Sequence, residues 1–266
     1  MQINLGDIVD IKDLYLYDLD IKNISINNES TDGNVYNIET NDNKYIAKIY
    51  NDLNHALNMI SIHQDLYNNN IYVPNIIKTK NNQEYVMQNN QVVVLYSYLE
   101  GMQISDIPFS SELVIKIATA VRKLHTINNS YNLEKYIKDS DNKRLSLLHF
   151  DLTKGNIFYN DKTNQIGFID FDDAKYGESL YDVAIIIAFL FVSKKRGFMQ
   201  DYIKLFIDTY YADDIALKEK EVPKIKDYSL NWLSELMHTH NFNSSLKDSF
   251  ENKYELIKDN DLYGKN

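Results

Sequence analysis

Between residues 147 and 173 the chain reads LLHFDLTKGNIFYNDKTNQIGFIDFDD, and this stretch constrains the fold more than any other. Two short apolar runs, 157–159 and 166–169, flank a polar turn, which predicts a pair of short strands. Asp151 and Asn156 precede the first run, and Asp170-Phe171-Asp172 closes the second. Strands hold their ends rigidly, and side chains at those ends are well placed for chemistry. A carboxylate, a carboxamide and a second carboxylate around two strand ends is an oxygen-rich set with no thiol.

Composition narrows what that set can do. The chain has 266 residues, 44% hydrophobic and 25% charged, which is ordinary for a globular protein with a substantial core. There is no cysteine, so disulfides, thiolate nucleophiles and cysteine metal sites are excluded. The six histidines form no HExxH pattern. A formal charge of -10 disfavours a long polyanion, so no nucleic-acid partner is expected. Lys194-Lys195-Arg196 reads as the solvated end of a helix. The longest apolar run, 183–192, is far shorter than the ~20 residues that span a bilayer, so no membrane association is expected. The N-terminus lacks a signal-peptide layout, and a cytoplasmic location is the default expectation.

Read in order, Ile8, Ile11, Leu14 and Leu16 suggest a short helix. Alternating runs at 24–26, 35–40 and 44–50 predict three antiparallel strands. They are joined by the polar tract 27–34 and by Asn41-Asp42-Asn43. Apolar residues at Leu53, Ala56, Met59, Ile60, Ile62 and Leu66 predict a helix over 52–69. A hairpin is expected over 83–87 and 92–98. Beyond residues 97–101 the spacing turns helical. Helices are expected from Ser110-Ser111-Glu112 onward, over 180–191 (buried), 198–211 and 224–238, and over 245–258. The fold class expected is α+β in two lobes: a small antiparallel sheet with one helix over 1–97, and a larger, mainly helical part over 98–266.

Lys48 sits inside the third strand run, on the face of Ile46 and Tyr50. A lysine there is more often solvated than functional. The functional alternative is a cation aimed at a nucleotide phosphate. Phosphoryl transfer needs a carboxylate to orient the acceptor hydroxyl, oxygen ligands for Mg²⁺, and cations or N–H groups for the remaining phosphates. Mg²⁺ keeps several waters, so one or two protein ligands suffice. Asp151, Asn156, Asp170 and Lys48 meet that list, although each alone also fits a turn, a cap or a surface position. His149 could equally fill a core site and bond a carbonyl.

HFDLTKGN followed by IDFDDA resembles the H-x-D-x-x-x-x-N and I-D-F/W-D/E pair of the aminoglycoside phosphotransferase and choline kinase-like family, whose fold is protein kinase-like. The resemblance runs from about residue 22 to about 195. YIAKIY, Leu124-His125 and Tyr181-Asp182-Val183-Ala184 also look like that family. The resemblance implies ATP, or GTP, as donor with Mg²⁺, and a small-molecule acceptor of aminoglycoside, choline or homoserine type. It implies Asp151 as the catalytic base, with Asn156 and Asp170 as metal ligands. Lys48 would pair with phosphates, and the tract ending at Asn34 would cover them. Ser97, Tyr98 and Leu99 would meet the adenine ring. Asp172 would stand near the metal, and Asp182 would buttress the catalytic loop.

Phe150 stands where many relatives have Gly, and Thr153-Lys154 where many have His-Pro. Lys154 is either a cation near the transferred phosphate or a solvated loop residue. No Glu occurs in 52–66 to pair with Lys48, which leaves Asp52, His63, Gln64 and Asp65 as substitutes. That gap keeps a second reading open: a catalytically weak nucleotide-binding regulatory protein. For the acceptor, Asp213, Asp214, Glu219, Glu221, Glu251, Glu255 and Asp259 read as an acidic lining or a solvated surface. Tyr210, Tyr211, Trp232 and His238 read as an aromatic wall or as core.

Overall fold

The computed structural model describes residues 16–27, 34–127, 131–138, 145–239 and 242–264. The pattern at Ile8, Ile11 and Leu14, and positions 28–33 of the polar tract, lie outside the described residues. The chain divides into two compact units, Met1–Glu100 and Gly101–Asn266.

In the first unit, alternation produces a five-stranded antiparallel sheet: β1 (Ile21–Ile26), β2 (Val35–Thr40), β3 (Lys44–Tyr50), β4 (Val86–Gln88) and β5 (Gln91–Ser97), in the order β1-β2-β3-β5-β4. The β4–β5 turn is Asn89-Asn90, with φ of 48° and 64°. Asparagine tolerates this left-handed pair, and its twist matches the strands it joins. Between β3 and β4 runs α1 (Leu53–Asn68), started by the Asp52 carboxylate accepting from the N–H groups of Asn54 and His55. On β3, Ala47 and Ile49 enter a core with Tyr17, Ile38, Val93 and Leu95. Strand alternation therefore puts Lys48 on the opposite face. It is half-buried, lies in register with Val35 and Val94, and has its ammonium 5.8 Å from the Tyr50 ring centroid.

The second unit opens with β6 (Met102–Gln103) and a 3₁₀ turn, Ile104–Asp106. Ser110 then caps α2 (Ser111–Leu124) through its hydroxyl. Three small sheets follow. One is β6, β9 (Ile157–Asn160) and β10 (Gln165–Phe168), in the order β10-β9-β6. The second is β7 (Lys135–Tyr136), β8 (Leu145–Leu148) and β11 (Lys175–Glu178), with β11 central. The third is the hairpin of β12 (Val192–Ser193) and β13 (Gly197–Phe198). Helices α3 (Leu180–Ile186), α4 (Gln200–Tyr211), α5 (Ile215–Thr239) and α6 (Ser244–Asp259) complete the unit. Among the described residues no helix is long and apolar enough to cross a membrane. The expected α+β division into an antiparallel sheet with one helix and a mainly helical second half is what the structure has.

Three expectations need correction. The apolar run 180–191 is not one α-helix: after Ile186 it widens to a π-helical turn, Ile187–Phe191. Lys253 accounts for that local change, since its buried ammonium donates to the carbonyls of Ala188 (2.7 Å) and Val192. Lys194-Lys195-Arg196 forms the β12–β13 turn rather than a helix end. Helix α5 starts nine residues before Lys224 and contains Pro223. Its first turns are tied down from outside, by Tyr211 Oη donating to Glu221 (2.9 Å) and by Lys218 on Asp208 (2.6 Å), which offsets the helix-breaking tendency of proline.

Gly177 on β11 has no room for a side chain. A Cβ there would lie 2.1 Å from the Tyr136 carbonyl oxygen, a backbone atom that cannot swing away. Gly177→Ala is therefore expected to part β7 from β11 and cost about 2–3 kcal/mol in urea denaturation. A loss below roughly 0.5 kcal/mol, the scatter of ordinary surface substitutions, would show that the contact relaxes freely.

Candidate active site

The loop from β8 to β9 carries Asp151 and Asn156, and Asp170 follows β10. The β9–β10 register, Ile157 opposite Phe168, brings the two ends together. Asn156 fastens them: its N–H donates to Thr153 O (3.2 Å), and its carbonyl accepts from Ile169 N–H (3.1 Å). Its side-chain amide donates to Asp151 O (2.9 Å) and to Asp151 Oδ2 (2.6 Å).

His149 is fully buried and does bond a carbonyl: that of Ile169, 2.8 Å from Nε2. A carbonyl only accepts, so Nε2 carries the proton. Nδ1 is then free to accept from Asp151 N–H at 3.4 Å. Burial holds the ring below the usual histidine range. A neutral imidazole thus couples the loop bearing Asp151 to the strand end bearing Asp170.

Asp182, fully buried at the start of α3, holds the same loop from behind. Oδ2 accepts from His149 N–H (2.8 Å) and Oδ1 from Phe150 N–H (2.8 Å). His125 Nε2 donates to Oδ2 at 3.1 Å, and His125 Nδ1 is bonded to the Tyr210 hydroxyl at 2.7 Å. The relay Tyr210–His125–Asp182 therefore ends on the backbone beside Asp151.

Phe150 occupies a backbone conformation that suits Gly. Its φ is +68°, a left-handed conformation that is costly for a bulky residue. The two flanking amides bound by Asp182 impose it, and the ring is held against Tyr136 (4.7 Å) and Tyr181 (6.0 Å). Elsewhere Ala is normally the more stabilising of Ala and Gly. Here we expect the order to invert, with Phe150→Gly more stable than Phe150→Ala by about 1 kcal/mol in urea denaturation. The ordinary order would mean that the backbone carries no strain.

The Asp151 carboxyl is pushed up to about 7. Burial is the main cause, followed by the carboxylates of Asp173 and Asp170, while the Asn156 amide opposes them. Asp173 was not singled out by the sequence, which pointed to Asp172. Three acidic residues within four positions could not be ranked without the turn geometry. Among the described residues no three His, Asp or Glu side chains are gathered as a metal cluster. The donors present still fit Mg²⁺: Asn156 spends its amide nitrogen on Asp151 and keeps its oxygen, and Asp170 is exposed, with φ +64°. Both offer hard oxygens to an ion that needs one or two from protein.

Lys154 leaves the loop toward Phe109, its ammonium 5.7 Å from the ring centroid. Burial, and then Arg196, lower it to about 8.

The remaining expected residues lie in the first unit. Lys48 is on β3 and Asn34 precedes β2, its carbonyl accepting from Ile49 N–H at 2.9 Å. The N–H groups of Ser97 and Tyr98 already donate, to Asn75 O (2.8 Å) and Lys44 O (3.3 Å). Three of the substitutes considered for the absent helix Glu make these bonds. Asp52 caps α1, His63 Nδ1 is bonded to Pro74 O (2.9 Å), and Gln64 donates to Glu84 (2.6 Å).

In the helical part, Tyr210, Tyr211 and Trp232 are buried core, and His238 is exposed. Of the seven acids considered for a lining, six are exposed, and Glu221 is buried against Tyr211. These positions are core and solvated surface.

Residues 131–214 match the model of the family described as the phosphotransferase enzyme family. That segment, less than half of the chain, holds Asp151, Asn156, Asp170 and Asp182, so the similarity to phosphotransferases falls on the loop and strand ends described above. The resemblance drawn from HFDLTKGN and IDFDDA is thereby met. Among solved structures, an amicoumacin kinase in complex with AMP-PNP, Ca²⁺ and Ami is similar at TM-score 0.70 and 13% identity, over 99% of this chain and 96% of that one. A spectinomycin phosphotransferase in complex with ADP and spectinomycin gives 0.62 and 14%, over 97% and 95%. An ethanolamine kinase from Plasmodium vivax gives 0.59 and 18%, over 95% and 84%. No curated protein matches the chain by sequence.

Proposed function

We propose that the protein transfers the γ-phosphoryl group of ATP, or GTP, to a hydroxyl of a small molecule. The observation that carries this reading is Asp151. It is a partly buried carboxylate held up to about 7, fixed by Asn156 and braced by a buried histidine–aspartate pair. A base of that strength is matched to taking a hydroxyl proton near neutrality.

In this reading Asp151 orients the acceptor hydroxyl and takes its proton as the oxygen attacks phosphorus. Asn156 and Asp170 would hold Mg²⁺, which when bound neutralises phosphate charge. Lys48 pairs with the phosphates, and the segment ending at Asn34 covers them. Since Ser97 and Tyr98 have committed their N–H groups, the adenine contacts fall to Leu99 N–H and the Ser97–Leu99 carbonyls.

The neighbours are, by name, an amicoumacin kinase, a spectinomycin phosphotransferase and an ethanolamine kinase, a range that supports a small-molecule acceptor. The test is ATP consumption over aminoglycosides, amino alcohols, hydroxy amino acids and sugars, with Asp151→Asn as blank. The expected outcome is turnover with one acceptor class, abolished by EDTA and restored by Mg²⁺.

A second reading, a catalytically weak nucleotide-binding regulator, rests on the sequence alone: residues 52–66 contain no Glu. Mg²⁺-dependent thermal stabilisation by nucleotide, without turnover on any acceptor, would select it.

A further inference from the structure

We propose that Lys154 and Arg196, gathered on the ring of Phe109, form an anion-binding subsite that takes an acidic group of the acceptor, a carboxylate or phosphate. The inference rests on the phosphotransferase reading and specifies the acceptor class within it.

Phe109 is a fixed platform. Its ring packs edge-on against Phe191 at 5.6 Å, its carbonyl accepts from the Tyr202 hydroxyl at 3.1 Å, and the next residue, Ser110, caps α2. Two cations share that ring: the Arg196 guanidinium at 5.0 Å and the Lys154 ammonium at 5.7 Å from the centroid. Cation–π attraction places each, but it does nothing for the repulsion between them. A third cation, Lys253, is buried below against Phe189 at 5.0 Å, with its hydrogen bonds spent on backbone carbonyls.

The chain carries 38 acids to 28 lysines and arginines, so a lysine can readily find a carboxylate. Lys78, Lys80, Lys116, Lys175, Lys218 and Lys258 each do. Among the described residues no acid pairs with Lys154 or with the Arg196 guanidinium. Like charges held together on a rigid ring, with no acid among the described residues paired to them, fit a ligand that supplies the counterion.

The location fits the acceptor. Lys154 is three residues from Asp151, a path of at most about 11 Å, and the loop is turned on itself by Thr153 N–H donating to Asp151 O at 2.8 Å. A molecule with its hydroxyl at Asp151 is within reach of these cations. An acidic tail here excludes purely polycationic acceptors and favours hydroxy acids, amino acids with a side-chain hydroxyl, or sugar phosphates.

Inorganic phosphate is the probe, followed through the side-chain NMR signals of ¹³C-labelled lysines, with Lys154 assigned by Lys154→Met. At constant ionic strength the Lys154 signal should shift saturably with phosphate and not with chloride. Arg196→Gln should weaken the effect roughly tenfold. The titration is repeated with saturating Mg²⁺–AMP-PNP. An unchanged phosphate affinity supports an acceptor subsite, and displacement by the nucleotide overturns it by assigning the cations to the donor phosphates. A linear, chloride-like response, or one indifferent to Arg196→Gln, also overturns it. None of these readings needs turnover. If phosphate binds as described while nucleotide binds nowhere, the phosphotransferase reading fails and the anion site stands.

Discussion

Asp151→Asn is expected to abolish transfer while making the protein more stable above pH 7. The carboxamide keeps the shape of the side chain and an oxygen to accept from Asn156 Nδ2, now at 2.6 Å, but it cannot take a proton. Loss of a general base costs about 10²–10⁴-fold in kcat. Nucleotide affinity should stay put, because the proposed nucleotide contacts lie elsewhere. The stability effect follows from linkage. The group sits at about 7 in the folded chain against an ordinary 3.8. Below about pH 4 both states are protonated and the ionisation has no effect. Between these values the unfolded chain loses its proton first, so folding stability falls as pH rises and stays lower above 7. Removing the charge should therefore stabilise by about 2–3 kcal/mol at pH 8, allowing for the residual exposure of the side chain. Urea denaturation in EDTA at several pH values reads this directly, and the gap should close toward pH 4. The parent should show the matching acid limb, with kcat/KM falling as pH drops through about 7. A cation bound at Asp170 removes one of the carboxylate repulsions and draws that limb lower. Equal stabilities at pH 8 would show that Asp151 is not the strained charge described.

Such a charge is visible in the sequence only as a letter, and that marks how far the sequence could be read. Where a local rule governs, it was legible. Alternation delimits β2 and β3, Asp52 and Ser110 cap the helices that follow them, and the apolar runs around residues 157 and 166 pair as a hairpin. The gathering of Asp151, Asn156 and Asp170 was legible too, since that hairpin brings them together. What escaped depends on partners distant in sequence. The π-helical turn needs Lys253, more than sixty residues on. The long α5 needs Tyr211 and Asp208 to hold the turns before Pro223. The left-handed Phe150 needs Asp182. Lys154 and Arg196 are separated by forty-two positions, and nothing in either neighbourhood announces that they share a ring. The aromatic and acidic residues of 210–259 carried two open readings because helical spacing specifies a face without saying what covers it.

Asp182 is where the non-local and local parts meet, and Asp182→Ala is expected to have the largest effect on stability in the chain. One fully buried carboxylate satisfies three donors: the amides of His149 and Phe150 and the Nε2–H of His125. Truncation leaves all three without an acceptor and opens a void. Each orphaned donor costs roughly 1–3 kcal/mol, and together they approach the net stability of about 5–15 kcal/mol that a domain has to lose. The alanine variant should unfold at ambient temperature or fail to accumulate. Asp182→Asn keeps the argument testable in a folded protein. It retains one accepting oxygen, but turns an NH₂ toward a donor, so it should be destabilised by less and should still fold. Because its damage falls on the amides of 149 and 150, it should also lower kcat while leaving nucleotide affinity intact, as expected for a residue that positions Asp151 without touching substrate. Tyr210→Phe removes the far end of the relay, costs about 1 kcal/mol, and should couple to Asp182→Asn in a double-mutant cycle. Full stability of Asp182→Asn, or strict additivity with Tyr210→Phe, would mean that the relay does not hold the loop.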